Sequence, residues 1–205
     1  IRLSLVGSEM CIRDRDSLSR AEAVAMLARL SVDEQGNLLY SGAPGTGGFS
    51  DVKRGDWYAP YVTFAKRYGI ANGYLDGTFR PEQPVSRAEL VKLIASYFTV
   101  EGGTSPFPDV PDGHWAAEVV SFAAEEGWVS GYPDGTFRPD APVSRAEAVK
   151  ILNHALDRRA GERAAALPFT DVEKGHWACD EIREAAVSHI YRKSGEGETW
   201  LTYER

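Results

Sequence analysis

Gly73-Tyr74-Leu75-Asp76-Gly77-Thr78-Phe79-Arg80-Pro81, followed shortly by Ser86-Arg87-Ala88-Glu89, returns almost unchanged as Gly131-Tyr132-Pro133-Asp134-Gly135-Thr136-Phe137-Arg138-Pro139 and Ser144-Arg145-Ala146-Glu147, displaced by 58 positions. A third Ser-Arg-Ala-Glu stands at Ser19, Arg20, Ala21 and Glu22. Similarity at a fixed period makes each copy one structural unit, and any function then belongs to the set of copies.

Downstream of each serine the apolar residues keep one spacing. Ala23, Val24, Met26, Leu27 and Leu30 follow Ser19; Leu90, Val91, Leu93, Ile94, Tyr97 and Phe98 follow Ser86; Ala148, Val149, Ile151, Leu152, Ala155 and Leu156 follow Ser144. That spacing is a 3.6-residue stripe, so three equivalent amphipathic helices are expected, each buried along one side. Upstream, Phe49-Ser-Asp51-Val52, Phe107-Pro-Asp109-Val110 and Phe169-Thr-Asp171-Val172 are each followed by a tryptophan, Trp57, Trp115 or Trp177. From each tryptophan a further helix is expected, through Val62 and Ala65, Val120 and Ala123, or Ile182 and Ala185. Gly69 and Gly127 stand where left-handed caps would end the first two of these helices. Asp76-Gly77 and Asp134-Gly135 signal tight turns able to join two very short strands. The unit reads as helix, turn, helix. The final copy lacks both Asp-Gly-Thr-Phe and Ser-Arg-Ala-Glu, and its last residues alternate like a strand, with Gly195 to Gly197 placed to turn a hairpin.

These phrases divide the chain into 1–15, 16–48 (the closing half of a first motif plus a glycine-rich linker), 49–106 (a second motif), 107–168 (a third, complete motif plus linker) and 169–205 (a partial or divergent motif). Residues 1–15 resemble a translated sequencing-adaptor segment rather than native sequence, so they inform neither the fold nor the question of a signal peptide.

Of 205 residues, 23 are Lys or Arg and 30 are Asp or Glu, a net charge of −7 that opposes binding to phosphate backbones or anionic lipid. Nucleic acid is not an expected partner. No apolar run approaches the roughly 20 residues needed to cross a bilayer, so membrane insertion is not expected either. Cys11 and Cys179 lie in unlike contexts and indicate neither a disulfide framework nor a metal site. The Asp-Gly turns lack the alternating oxygen ligands of a calcium loop, and the first copy has Asp56 where the others have His114 and His176, so no metal is expected. No placed nucleophile, phosphate loop or isolated carboxylate pair stands out, so neither a catalytic residue nor a cofactor is expected. Nothing in the repeats specifies an oligomeric state.

Ser-x-x-Glu before an apolar run is a capping box, the principal role expected for Ser19, Glu22, Ser86, Glu89, Ser144 and Glu147. Capping leaves Arg20, Arg87 and Arg145 unexplained, because the helix dipole disfavours a cation in the first turn by a few tenths to about 1 kcal/mol. Two partners would compensate. One is an acidic residue of a neighbouring unit, such as Asp51, Asp109 or Asp171; the other is an external carboxylate held by free helix amides and the guanidinium together. The tryptophans are most simply core anchors, although they and Tyr74 and Tyr132 also have faces able to stack on sugar rings. Phe49, Phe107, Phe169, Phe79 and Phe137 are expected in the core.

Phe-x-Asp-Val, Trp-Ala, Gly-Tyr-x-Asp-Gly-Thr-Phe-Arg-Pro and Ser-Arg-Ala-Glu, in that order and register, resemble the S-layer homology domain of bacterial surface proteins. The resemblance implies a mainly α fold of helix-turn-helix motifs packed about a pseudo-threefold axis, with ligand grooves between motifs. It implies non-enzymatic, non-covalent anchoring of an exported protein to secondary cell-wall polymer outside the cell, commonly a glycan whose terminal sugar carries a pyruvate ketal. Carried over residue by residue, Arg87 and Arg145 would meet the ketal carboxylate, with Arg20 a lesser candidate because an incomplete groove is expected around it. Ser86 and Ser144, as part of the same phrase, would border the grooves, and Trp57, Trp115, Trp177, Tyr74 and Tyr132 are the candidates for sugar contact by virtue of their aromatic faces. Two alternatives stay open: a targeting region of a larger wall-active glycan hydrolase, and a self-assembly or protein-interaction module of a surface layer.

Overall fold

A computed structural model describes residues 13–31, 39, 45–158, 167, 169–173, 175–186, 189–194 and 197–203. Among them are six helices, α1 (Arg20–Leu30), α2 (Ala59–Arg67), α3 (Arg87–Ala95), α4 (Ala117–Glu125), α5 (Arg145–Ala155) and α6 (Cys179–Ala186), and two strands, β1 (His189–Ser194) and β2 (Gly197–Tyr203). The fold is mainly helical, as the repeated stripe requires. The strands pair antiparallel, His189 opposite Tyr203 and Ser194 opposite Gly197, which is the hairpin expected from the alternation. Its turn at 195–196 and most of the first linker, 32–38 and 40–44, lie outside the described residues.

Helices α1, α3 and α5 open with complete capping boxes at Ser19/Glu22, Ser86/Glu89 and Ser144/Glu147. Just before each cap lies an extended residue with no exposed surface: Leu18, Val85 and Val143. Their backbones bond head to tail in a closed cycle. The Leu18 amide donates to the Val143 carbonyl at 2.9 Å, Val143 to Val85 at 3.0 Å and Val85 to Leu18 at 2.8 Å. This cycle marks the threefold axis, and it is the centre of a core formed by the stripes of the three helices. Tyr97 and Phe98, counted with the α3 stripe, fall past the helix end at Ala95 and stay partly exposed. Tyr97 instead bonds Ser31 and the Leu27 carbonyl through its hydroxyl, tying α3 to the end of α1.

Helices α2, α4 and α6 form an outer layer, packed on α1, α3 and α5 respectively. Val62, Ala65, Val120, Ala123, Ile182 and Ala185 are buried along the contacts. Gly69 and Gly127 take positive φ and end α2 and α4 with the Ile70 and Trp128 amides reaching back to the Ala65 and Ala123 carbonyls. The tryptophans are not core anchors. Trp57, Trp115 and Trp177 are 54 %, 52 % and 59 % exposed, because each stands in the turn before its helix and the next residue, Tyr58, Ala116 or Ala178, points inward.

The Phe-x-Asp-Val phrases brace the repeated turns. Asp51 accepts the Phe79 and Arg80 amides at 2.8 and 2.7 Å, and Asp109 accepts those of Phe137 and Arg138 at 2.9 and 2.7 Å. Two successive amides face one carboxylate because Arg80 and Arg138 adopt left-handed φ of 56° and 58°. Within the turns, Asp76 and Asp134 accept from the amide and hydroxyl of Thr78 and Thr136 and pair with Arg80 and Arg138. The short flanking strands expected there do not form; a backbone bond closes each turn, from the Tyr74 amide to the Thr78 carbonyl and from Tyr132 to Thr136 at 2.8 Å, and the aspartates take the amides that follow. Gly73 and Gly131 are obligatory: each has a φ of +71°, and a Cβ would lie 2.3 Å from the Phe49 ring or 2.6 Å from that of Phe107.

The third unit is assembled from both ends of the described chain. Asp171 accepts the amide of Arg13, which has a φ of 54° like Arg80 and Arg138, and His176 Nε2 lies 2.9 Å from Asp14 Oδ2. Residues 13–15, counted with the foreign segment, thus occupy the place that 80–82 and 138–140 hold in the complete copies.

Candidate functional site

Each helix head reaches into the loop that leads to the next core helix. The amides of Arg20 and Ala21 donate to Gln83 and Pro81, those of Arg87 and Ala88 to Ala141 and Pro139, and those of Arg145 and Ala146 to Asp16 and Asp14. The third amide of each head is taken by its capping serine. The first-turn amides are therefore fully used within the protein, and the expected anion site made from free helix amides does not exist here.

The arginine side chains follow the same cycle. Arg20 bonds the Phe79 carbonyl through Nε at 3.0 Å and Glu89 Oε1 through Nη1 at 2.8 Å. Arg87 does the same with the Phe137 carbonyl at 3.0 Å and Glu147 at 3.2 Å, and Arg145 pairs with Glu22. The internal salt bridge between neighbouring units is thus present. Its acceptor is the capping-box glutamate rather than Asp51, Asp109 or Asp171, whose carboxylates hold backbone amides instead. One glutamate serves two units: Oε2 takes its own serine amide, and Oε1 takes the arginine of the unit before it.

Tyr74 and Tyr132 complete the cluster, donating to Glu89 and Glu147 Oε1 at 3.0 and 2.9 Å. Their rings are covered by guanidiniums, Arg20 and Arg80 at 4.7 and 4.0 Å from the centroid of Tyr74, Arg87 and Arg138 at 4.8 and 4.1 Å from that of Tyr132. Burial pushes the Tyr132 hydroxyl up, and its bond to Glu147 adds to the shift. Burial alone would also raise Glu147, but the Ser144 amide, the Tyr132 and Ser144 hydroxyls and the Arg87 charge outweigh it and hold the carboxyl below the ordinary range. Glu22 is lowered likewise, burial being outweighed by Ser19 and Arg145.

Two equivalent grooves open over this cluster. The first, of about 750 Å³, is lined by Arg87, Tyr132, Ser144, Glu147, Lys150 and Trp177 among others. The second comprises adjoining cavities of about 420 and 570 Å³, which between them meet Arg20, Tyr74, Ser86, Glu89, Lys92 and Trp115. Arg20, the lesser candidate by sequence, therefore lies in a groove walled by described residues on every corresponding side. Arg145 and Trp57 belong to the third position of the cycle, with Glu22. Trp115 and Trp177 keep about half of their surface exposed in these grooves, whereas the Tyr74 and Tyr132 rings are each covered by two guanidiniums.

Sequence reasoning missed Lys92 and Lys150. They stand six positions after Ser86 and Ser144, and their Nζ atoms lie 5.1 and 6.0 Å from the Trp115 and Trp177 rings. The signal was in the repeat, because lysine recurs in two copies while the first has Ala25 at that position.

A threefold ring of helical units with grooves between neighbours, each pairing a neutralised arginine with an exposed indole, defines a repeat-built binding module. The model of the S-layer homology domain matches residues 48–91 and 106–149, and the chain belongs to that family. Cell surface glycoprotein 1 of Acetivibrio thermocellus is 34 % identical over 92 % of the chain, and the Cellulosome-anchoring protein of the same organism is 32 % identical over 91 %. Exoglucanase XynX, also from Acetivibrio thermocellus, is 34 % identical over 69 % of the chain. The chain spans only 8 %, 42 % and 13 % of these relatives' own lengths. The family's domains are cell-surface anchoring modules that bind cell-wall polymers and are not themselves catalytic, and they place this chain outside the cell at the wall. No helix among the described residues is long and apolar enough to cross a membrane.

Proposed function

We propose that this module anchors an exported protein to an acidic secondary cell-wall glycan, and that the two grooves bind sugars bearing a carboxylate such as a pyruvate ketal. The observation that carries the reading is the repetition of one arrangement, Arg–Glu–Tyr below and Trp–Lys above, at two corresponding places on a rigid ring. Trp115 and Trp177 stack on the apolar face of a sugar, while Ser86 and Ser144 edge the grooves. Nη2 of Arg20 and of Arg87, which makes no hydrogen bond among the described residues, turns toward the ligand. Arg145 and Trp57 occupy the corresponding place in the third position.

Binding to purified sacculi tests this reading. The chain is expected to sediment with intact sacculi and to stay in solution once the wall polymer is extracted. Trp115→Ala with Trp177→Ala is expected to weaken binding at least about tenfold without unfolding the protein, because both indoles are half exposed. Undiminished binding to extracted sacculi would overturn the reading. The match to Exoglucanase XynX favours a glycan hydrolase as one kind of body that such a module tethers.

A further inference from the structure

We propose that Lys92 and Lys150 are the cations that recognise the ligand's carboxylate, and that the chain accordingly binds two acidic sugars rather than three. The inference rests on the glycan reading above and deepens it.

Charge in the grooves carries the argument. Arg20 and Arg87 are each within 3.2 Å of a carboxylate, so each Arg–Glu pair presents a dipole and no net charge to an incoming anion. The helix amides that would otherwise attract it are bonded to loop carbonyls and capping serines. Lys92 and Lys150 make no salt bridge among the described residues, line the same grooves, and are held over the indoles on which a sugar would stack. A pyranose lying on Trp115 or Trp177 brings its ketal carboxylate toward Nζ, which is held in no ion pair among the described residues even though Glu181 lies near enough to Lys150 to feel its charge, and the neighbouring indole excludes part of the water. Arginine then orients the glutamate and tyrosine, and lysine selects the acid.

The third position departs at this place. Ala25, buried, stands where the other units carry lysine. One turn on, Arg29 is held by Tyr61, donating to its hydroxyl through Nε at 3.1 Å and Nη2 at 2.9 Å, and Trp57 meets the edges of Tyr58 and Tyr61. Two sites on one rigid ring would let the module hold two chain ends of the polymer at once, so that release requires both to let go.

Titration calorimetry of the whole chain with the methyl glycoside of a hexosamine bearing a 4,6-pyruvate ketal, and with the methyl ester of that ketal, tests the inference. Two equivalents of the acid are expected to bind, with at least about tenfold weaker binding of the ester. Lys92→Ala or Lys150→Ala is expected to leave one equivalent, and the double variant none, with unchanged thermal unfolding because neither lysine is buried. Wild-type affinity and stoichiometry in the double variant, or three equivalents bound by the wild type, would overturn the lysine assignment while leaving the glycan reading intact. A wild-type chain that holds sacculi yet ignores the ketal sugar overturns the acidic-sugar reading, and this inference with it.

Discussion

At Arg87 a cation occupies the first turn of a helix against the dipole, and the structure explains why it stays there. Its guanidinium spans the Phe137 carbonyl and Glu147, so one side chain pins the next unit's loop and its cap together. Arg87→Ala leaves the partly buried Glu147 carboxylate without its cation, held only by Ser144 and Tyr132, and is expected to lower unfolding free energy by about 2 kcal/mol in urea titrations. Arg87→Lys keeps the charge but not the fork that reaches both acceptors, and should recover only part of that loss. A drop below about 0.5 kcal/mol for Arg87→Ala would mean that the ring is not held by its ion pairs. Trp115→Ala, by contrast, removes a half-exposed ring and is expected to change stability by less than about 0.5 kcal/mol while weakening sacculus binding.

Among elements, the three core helices share their caps with their neighbours, and this links local propensity to assembly. Ser86→Ala should cost about 1 kcal/mol by loss of the cap alone, read by chemical unfolding. The Ser86 amide stays bonded to Glu89 Oε2 in that variant, but the helix turn that sets this carboxylate against Arg20 and Tyr74 loses a tie, so Ser86→Ala and Arg20→Ala are expected to be non-additive in a double-mutant cycle. The α5–α6 contact is more polar than its counterparts. His154 is raised above its ordinary value by its bond to Glu181, and Asn153 reaches the same residue. A raised histidine stabilises fully below its unfolded value and loses that contribution as pH rises through the folded one. Amide exchange in α6 is therefore expected to quicken, relative to α4, as pH is taken from about 6 to about 9.

For the whole molecule, three units close into a ring only because the two ends of the described chain make one unit between them. Asp171→Ala removes the acceptor of the Arg13 amide, and hydrogen exchange is expected to accelerate in residues 13–19 and α6 while α3 and α4 keep their protection. Uniform acceleration would show that the ring opens as one piece. Acid acts on the same closure. Glu22 and Glu147 have lowered values when folded, so their contribution is complete above the unfolded value of about 4.5 and disappears as pH falls through the folded values. The melting temperature is expected to hold from neutrality to about pH 5 and to fall below about pH 4, with a shallower fall in Glu22→Gln plus Glu147→Gln.

Most of the local structure was legible in the residues: the apolar stripes, capping boxes, glycine caps and the terminal hairpin all follow from spacing and short-range bonding, which a linear pattern records. The places of Trp57, Trp115 and Trp177 were not, since an indole at a helix start looks alike in sequence whether it points inward or outward, and the inward place went to its neighbour in the turn. The repeated arginine was visible as an anomaly, but its partner lay 60 to 123 residues away in the next unit, a distance that only the closed ring brings within bonding reach. By itself the sequence determined three equivalent helix heads with their caps, because capping and periodicity act within a few residues. Tertiary structure alone decided that those heads neutralise one another around an axis, while Lys92 and Lys150 stand over the exposed indoles outside any salt bridge among the described residues, because compensation between charges depends on distance in space and not along the chain.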